Sequence, residues 1–234
     1  DLTALLTTAS GTIDIEAETN GAITILAGAA NTTATLSVSS MGDTVTGGAG
    51  VEALTIQDDQ LTSADVLDGG AGTDTLTIKG NGVLSDGDFT NVSNIETLIL
   101  GTGGANTFVL GTEYAAAGFT TVTTKTADDT ITFGAGVTTA QTVNFESGAD
   151  TIDATAASGA ITINITTEAD LTSADTITGG TGTDILNITF AGSGSITAAE
   201  IGGVTKFEKI QSATSAVGKL VLADANNASS TITV

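Results

Sequence analysis

Polar and apolar residues alternate along much of the chain. In Thr12-Ile13-Asp14-Ile15-Glu16-Ala17-Glu18 the polar side chains fall on one side, and Ile13, Ile15 and Ala17 fall on the other. The same period of two runs through Ala160 to Thr166 and through Thr75 to Ile78. Successive side chains of an extended strand point to opposite faces, so this pattern predicts strands with one buried aliphatic face and one face of Thr, Asp and Glu. Thr neighbours on such a face pair across strands, each pair contributing about 0.2–1 kcal/mol. Three short segments read as helical instead. Ser85-Asp86-Gly87-Asp88 and Thr197-Ala198-Ala199-Glu200 each place a hydroxyl three residues before an acid, which is the spacing of a capping box. They predict short helices ending near Asn91 and Gly202. Thr112-Glu113-Tyr114-Ala115-Ala116-Ala117 predicts a helical insert with the Tyr114 ring packed on a sheet.

The chain also repeats itself. Residues 61–78 and 171–188 share 12 of 18 identities at an offset of 110. Beyond them Val92, Ile95, Glu96 and Leu98 match Val204, Phe207, Glu208 and Ile210 at an offset of 112, as do the two capping boxes. A long internal repeat built of short strands and Gly-Asp turns is the signature of stacked units. It predicts two β units, residues 1–147 and 148–234.

Composition confirms the class and narrows the chemistry. Thr occurs 47 times in 234 residues and Gly 30 times, a balance that favours β-branched strands joined by tight turns in an all-β chain. At 40% hydrophobic residues and 14% charged, the sequence is too apolar for a disordered acidic tail. The formal charge is -22, from 27 acids against five Lys and no Arg. Nothing of this kind neutralises a phosphate backbone, so nucleic acid is excluded as a partner, and anionic membrane surfaces are disfavoured. No apolar run is long enough for a membrane-spanning helix. With no Cys, His, Trp or Pro, thiol and imidazole nucleophiles, N/S zinc sites and disulfides are absent. What remains is oxygen: carboxylates, hydroxyls and carbonyls, the ligands of hard cations such as Ca²⁺.

One motif concentrates those oxygens. Gly69-Gly70-Ala71-Gly72-Thr73-Asp74-Thr75-Leu76-Thr77 fits the nonapeptide G-G-x-G-x-D-x-U-x, where U is a large aliphatic residue. Gly179-Gly180-Thr181-Gly182-Thr183-Asp184-Ile185-Leu186-Asn187 fits it as well. A third copy begins at Gly47 and carries Glu52 in place of Asp. Glycines that accept positive φ let the backbone turn its carbonyls inward, the acid adds a carboxylate and the aliphatic residue anchors the turn in the core. Calcium takes six to eight oxygens, at about 2.3–2.6 Å, so one turn must be completed by another. Nine residues upstream of each acid stands another: Asp65 before Asp74, Asp175 before Asp184 and Asp43 before Glu52. The candidate calcium ligands are therefore Asp43, Glu52, Asp65, Gly70, Gly72, Asp74, Asp175, Gly180, Gly182 and Asp184. Asp68 ranks below Asp65, because Thr178 stands in its place in the duplicate.

These residues resemble the RTX calcium-binding repeats of bacterial secreted proteins. Together with the Asn94-Ile95-Glu96-Thr97-Leu98 segment, they look most like RTX-containing S-layer proteins and large surface adhesins of Gram-negative bacteria. The resemblance implies a parallel β-roll or β-helix (a β-solenoid) with short helical inserts, a partial β-sandwich being the alternative. It also implies Ca²⁺ between turns, export by a type I system and assembly at the extracellular cell surface. The expected partners are further copies of the chain and cell-surface polysaccharide.

Other acids have plainer explanations. Asp14, Glu16 and Glu18 read as a solvated strand face, and Asp128, Asp129, Asp150 and Asp153 are weaker cation candidates. Glu96 and Glu208 either cap a backbone group or hold an ion. Catalysis is not expected. Two carboxylates suffice for glycoside hydrolysis, yet sugar clefts use aromatic platforms that this chain lacks, and lyases need Arg or Lys to stabilise charge. The expected function is a structural, self-assembling surface protein forming an S-layer lattice or filament, with a repeat module of an adhesin that binds a surface or glycan receptor as the alternative.

Overall fold

In the computed structural model, the residues described are 3–6, 11–14, 24–27, 34–37, 42–57, 60–191, 193–212, 218–220 and 231–233. Of the predicted acidic face, Glu16 and Glu18 lie outside them.

Among the described residues the alternating segments are strands, and all of their pairings are parallel. Eleven of them form one continuous sheet, each strand lying beside the next coil's strand. It includes Glu52–Gln57, Thr75–Lys79, Thr97–Leu100, Thr121–Thr123, Gln141–Phe145, Ile161–Ile165, Ile185–Ile188 and Lys209–Ser212. Parallel neighbours need a crossover, and here the crossover is the rest of the coil, which lays a second strand on the opposite wall. The result is a β-solenoid with very little helix. The large sheet runs without a break past Gly148.

The opposite wall is assembled in pieces. A five-stranded sheet ends at Val92–Ser93, and a six-stranded one begins at Val83–Leu84 in the same coil. Between them sits a 3₁₀ turn, Asp86–Phe89, opened by the predicted capping box: the Ser85 N–H and hydroxyl both donate to Asp88 Oδ2 at 2.8 Å. The six-stranded sheet ends at Val204–Thr205, and a two-stranded one begins at Ser195–Ile196. The second box lies between those two, with the Thr197 N–H donating to Glu200 Oε2 at 2.6 Å before a 3₁₀ turn at Ile201–Gly203. The sequence duplication is thus a duplication of the coil at which the wall changes sheets. From Thr75–Lys79 to Ile185–Ile188 the large sheet advances five strands, so 110 residues correspond to five coils.

Register stacks like on like. Leu54, Leu76, Leu98, Val122, Val143, Ile163, Leu186 and Ile210 form one inward row of the large sheet, every one buried. Leu54, Leu76 and Leu186 are the aliphatic residues of the three motif copies. Full burial of such side chains is worth roughly 1.5–3 kcal/mol each. On the outward side Thr75, Thr97, Thr121, Thr142 and Thr162 stand in file. A second file carries amides: Asn164 donates to Asn144 Oδ1 at 3.1 Å and Asn187 to Asn164 Oδ1 at 2.9 Å.

The helix predicted at Thr112–Ala117 is present, with Tyr114 fully buried against Phe89, Phe119 and Phe133. Its hydroxyl donates to Gln141 Oε1 at 2.9 Å. Gly111 at the helix start has no side chain to cap with, and Asp86 from the preceding coil supplies the carboxylate, accepting the N–H groups of Gly111, Glu113 and Tyr114 at 2.7–3.1 Å. No helix among the described residues is long and apolar enough to cross a membrane.

Candidate metal centre

Two columns of polar side chains run along the solenoid, each at or just before the first residue of a strand. The large sheet carries Glu52, Asp74, Glu96, Asp184 and Glu208; the opposite wall carries Asp43, Asp65, Asn106, Asp129, Asp150 and Asp175. One bond recurs in both. A side-chain oxygen accepts the backbone N–H at the same position of the preceding coil, 21 to 25 residues earlier. Asp74 Oδ1 takes the Glu52 N–H and Glu96 Oε2 the Asp74 N–H, both at 2.7 Å. Asp184 Oδ1 takes the Ile161 N–H and Glu208 Oε2 the Asp184 N–H, again at 2.7 Å. Across the core Asp65 accepts from Asp43, Asp129 from Asn106, Asp150 from Asp129 and Asp175 from Asp150, at 2.7–2.9 Å. Buried N–H groups without partners cost about 1–3 kcal/mol each, and bonds to ionised acceptors are the stronger kind. Glu96 and Glu208 therefore cap backbone groups.

The stacking partner of each acid is thus the acid one coil away, not the one nine residues upstream. Asp65 and Asp74 belong to opposite columns, as do Asp175 and Asp184. Asp65 also closes its own turn, its Oδ2 accepting the Thr62 N–H at 2.8 Å and the Thr62 hydroxyl at 3.1 Å. Asp175 does the same with Thr172 at 2.6 and 3.1 Å. In both residues each carboxylate oxygen already accepts a hydrogen bond from the protein.

The motif glycines have two separate reasons. Gly70 has φ of 90° and takes the turn that side chains avoid. Gly47 and Gly182 lie outside the positive-φ region and are required by close approach. A Cβ on Gly47 would strike the carbonyl of Gly69, and one on Gly182 would stand 2.7 Å from the carbonyl oxygen of Gly159. Gly69 and Gly179 face the carbonyls of Asn94 and Lys206, the two non-glycine residues with positive φ among the described residues, at 53° and 59°. Asn tolerates this region better than Lys. Lys206→Asn should therefore raise stability by about 0.5–1 kcal/mol, read as an upward shift in thermal midpoint, whereas Asn94→Lys should lower it.

The duplicated turns differ at their acids. In the second copy Asp184 Oδ2 accepts the Gly180 N–H at 2.6 Å, so both its oxygens are used. In the first copy the equivalent Gly70 N–H goes to Asp68 Oδ1 at 3.0 Å, which also accepts from the Asn94 amide at 2.7 Å. Asp74 Oδ2 is left without a partner. Beside it both oxygens of Glu52 are unpartnered too, and both residues are 0% exposed. On the opposite wall Asp150 Oδ2 shares this condition.

Burial and neighbouring carboxylates shift the pKa of these groups. Burial, then the charge of Asp74, pushes Glu52 up to about 7. Burial likewise pushes Asp150 up to about 7, with Asp129, Asp175 and Asp128 adding repulsion. Asp74, Asp129 and Asp184 are raised as well, by burial first. Asp153, another of the weaker cation candidates, is exposed, and its carboxyl is lowered by hydrogen bonds from Thr155. Lys125, bound to Glu146 at 2.7 Å, is occupied elsewhere.

Among the described residues no group of three or more acids converges into a ready cage for a metal ion. A cation at the first turn would take Glu52 and Asp74 and complete its shell with backbone carbonyls and water. Oxygen donors that are buried, charged and unpaired suit Ca²⁺ in kind. The fold and this site define the chain as a β-solenoid with acidic capping columns. No protein-family model matches it, and neither a curated protein nor a solved structure shows significant similarity to it.

Proposed function

We propose that this is a non-enzymatic structural protein of the bacterial exterior, stabilised by Ca²⁺ and self-assembling into an S-layer lattice or filament. The observation that carries it is the set of buried carboxylate oxygens of Glu52 and Asp74, unpartnered at stacked glycine turns in a chain of charge -22. Burying unpaired charge is costly, and a divalent cation removes that cost where a Lys or Arg is missing. In calcium-poor surroundings repulsion among carboxylates opposes both compaction and contact between copies, and in calcium-rich surroundings both are relieved. Copies of the chain are the expected partners, with cell-surface polysaccharide as a further one and type I export as the route. The aligned Thr and Asn files add a regular outer face for lateral contact.

Electron microscopy and light scattering with calcium chloride and with a chelator test this. The expected result is ordered arrays or filaments that form with Ca²⁺ and dissolve on chelation. A protein that stays monomeric at all calcium concentrations overturns the assembly reading in favour of an adhesin repeat module. A chelator-indifferent melt with no bound metal overturns the calcium reading.

A further inference from the structure

We infer that the two complete copies of the glycine-aspartate turn are not equivalent: the first binds a divalent cation through Glu52 and Asp74, the second is closed by its own backbone, and position 68 or its counterpart 178 takes part in deciding which. This rests on the calcium reading above and narrows it to one of the two complete motifs.

The geometry of the two turns separates them at two points. One coil before Asp74 stands Glu52, and one coil before Asp184 stands Ile161, as the matching N–H bonds into Asp74 Oδ1 and Asp184 Oδ1 show. The first turn therefore offers two buried carboxylates to one cation and the second only one. The other point is the glycine N–H. Asp68 takes it from Gly70, and Asp74 keeps Oδ2 free. Thr178 stands where Asp68 would be, and the Gly180 N–H turns onto Asp184 Oδ2 instead. A cation at Asp184 would have to displace that bond and would find no second buried acid, since Glu208 one coil on is exposed and spends Oε2 on the Asp184 N–H. At Asp74 Oδ2 it displaces no backbone bond of the kind that Asp184 makes, and it offsets two buried acids. The nine-residue motif is intact in both places, so the motif alone does not report the site; the residue just before it and the residue one coil away do.

Isothermal titration of the full chain with calcium chloride, after chelator treatment, tests this, with native mass spectrometry as the count of bound ions. Glu52→Gln and Asp74→Asn each keep the size of the side chain, and the amide introduced at position 74 keeps an oxygen for the Glu52 N–H. Each is expected to weaken the tightest site at least tenfold, while Asp184→Asn leaves it within twofold. Asp68→Thr, which releases the Gly70 N–H toward Asp74, is expected to weaken the same site, and circular dichroism confirms that each variant keeps its β content. If Asp184→Asn removes one bound ion as Asp74→Asn does, the inference is overturned and the calcium reading survives. If the unaltered chain binds no calcium, the calcium reading itself has failed. If Asp68→Thr binds as the unaltered chain does, the role given to position 68 is overturned.

Discussion

Replacing Gly47 by Ala should destabilise the protein by about 3 kcal/mol or more, roughly 6–12 °C in thermal midpoint, while Gly87→Ala should change it by less than about 0.5 kcal/mol. Neither glycine has a positive φ, so the contrast isolates packing from backbone freedom. A methyl on Gly47 would overlap the Gly69 carbonyl of the next coil and crowd Glu52 Oε2 at 3.0 Å. Backbone of a neighbouring coil cannot swing aside as a side chain can. It moves only if the two coils part at that turn, which would strain the ladders on either side of it, Thr44–Thr46 with Val66–Asp68 and Glu52–Gln57 with Thr75–Lys79. At Gly87 the nearest atom to such a methyl is Ser85 Oγ at 3.8 Å, an ordinary contact. Thermal melts of the two variants beside the parent decide the matter. Equal effects would mean that the coils are not held at the separation described.

The second large effect is on pH. Calcium-free protein should lose thermal stability steadily as pH rises from about 4 to about 7 and then level off, opposite to the behaviour of proteins whose acids are salt-bridged. A carboxyl whose pKa is raised on folding binds its proton more tightly in the folded chain. Its contribution is therefore fully present below the ordinary value, 3.8 for Asp and 4.5 for Glu, and is lost as pH climbs through the folded value near 7. Glu52 and Asp150 both span this window. Asp150 is faced by Asp129, Asp175 and Asp128, all of one sign. Asp150→Asn retains an oxygen for the Asp129 N–H and places an amide donor among carboxylates. It should raise the thermal midpoint at pH 7.5 and leave it nearly unchanged at pH 4.5. A stability that increases between pH 4 and 7 in the absence of divalent ions would refute this assignment.

Much of the fold was legible in the chain. The two-residue alternation names the strands and their inward faces, and the aliphatic residue of each turn motif is in the core. Thr112–Ala117 lacks that alternation and is the one α-helix among the described residues. The capping boxes at Ser85 and Thr197 are where their spacing puts them. The coil period was harder to see, although Gly47-Gly48-Ala49-Gly50 recurs as Gly69-Gly70-Ala71-Gly72 and Glu52, Asp74 and Glu96 follow one another at intervals of 22. The coil between Asp150 and Asp175, which holds the 3₁₀ turn Glu168–Asp170, takes 25 residues and the one between Asp129 and Asp150 takes 21, so no single repeat length survives along the chain. For that reason the stacking partner of each acid is invisible to a search at nine residues. Asp86 as a cap for a helix one coil away, and Asn106 standing in the acidic column, carry no local signal at all. Their partners are neighbours only after the chain has wound.

The coil at which one wall sheet gives way to the next sets a unit of length. Because it recurs after five coils, 110 residues at the turn motif and 112 at the capping box, an insertion or deletion of one such block returns the same surfaces to both sides of the cut. With parallel strands about 4.8 Å apart, each block is worth roughly 24 Å along the axis. A chain built this way changes its reach in fixed steps while the inward aliphatic rows and the capping columns stay in register. Gene duplication would then act on it as the addition of a ruler segment.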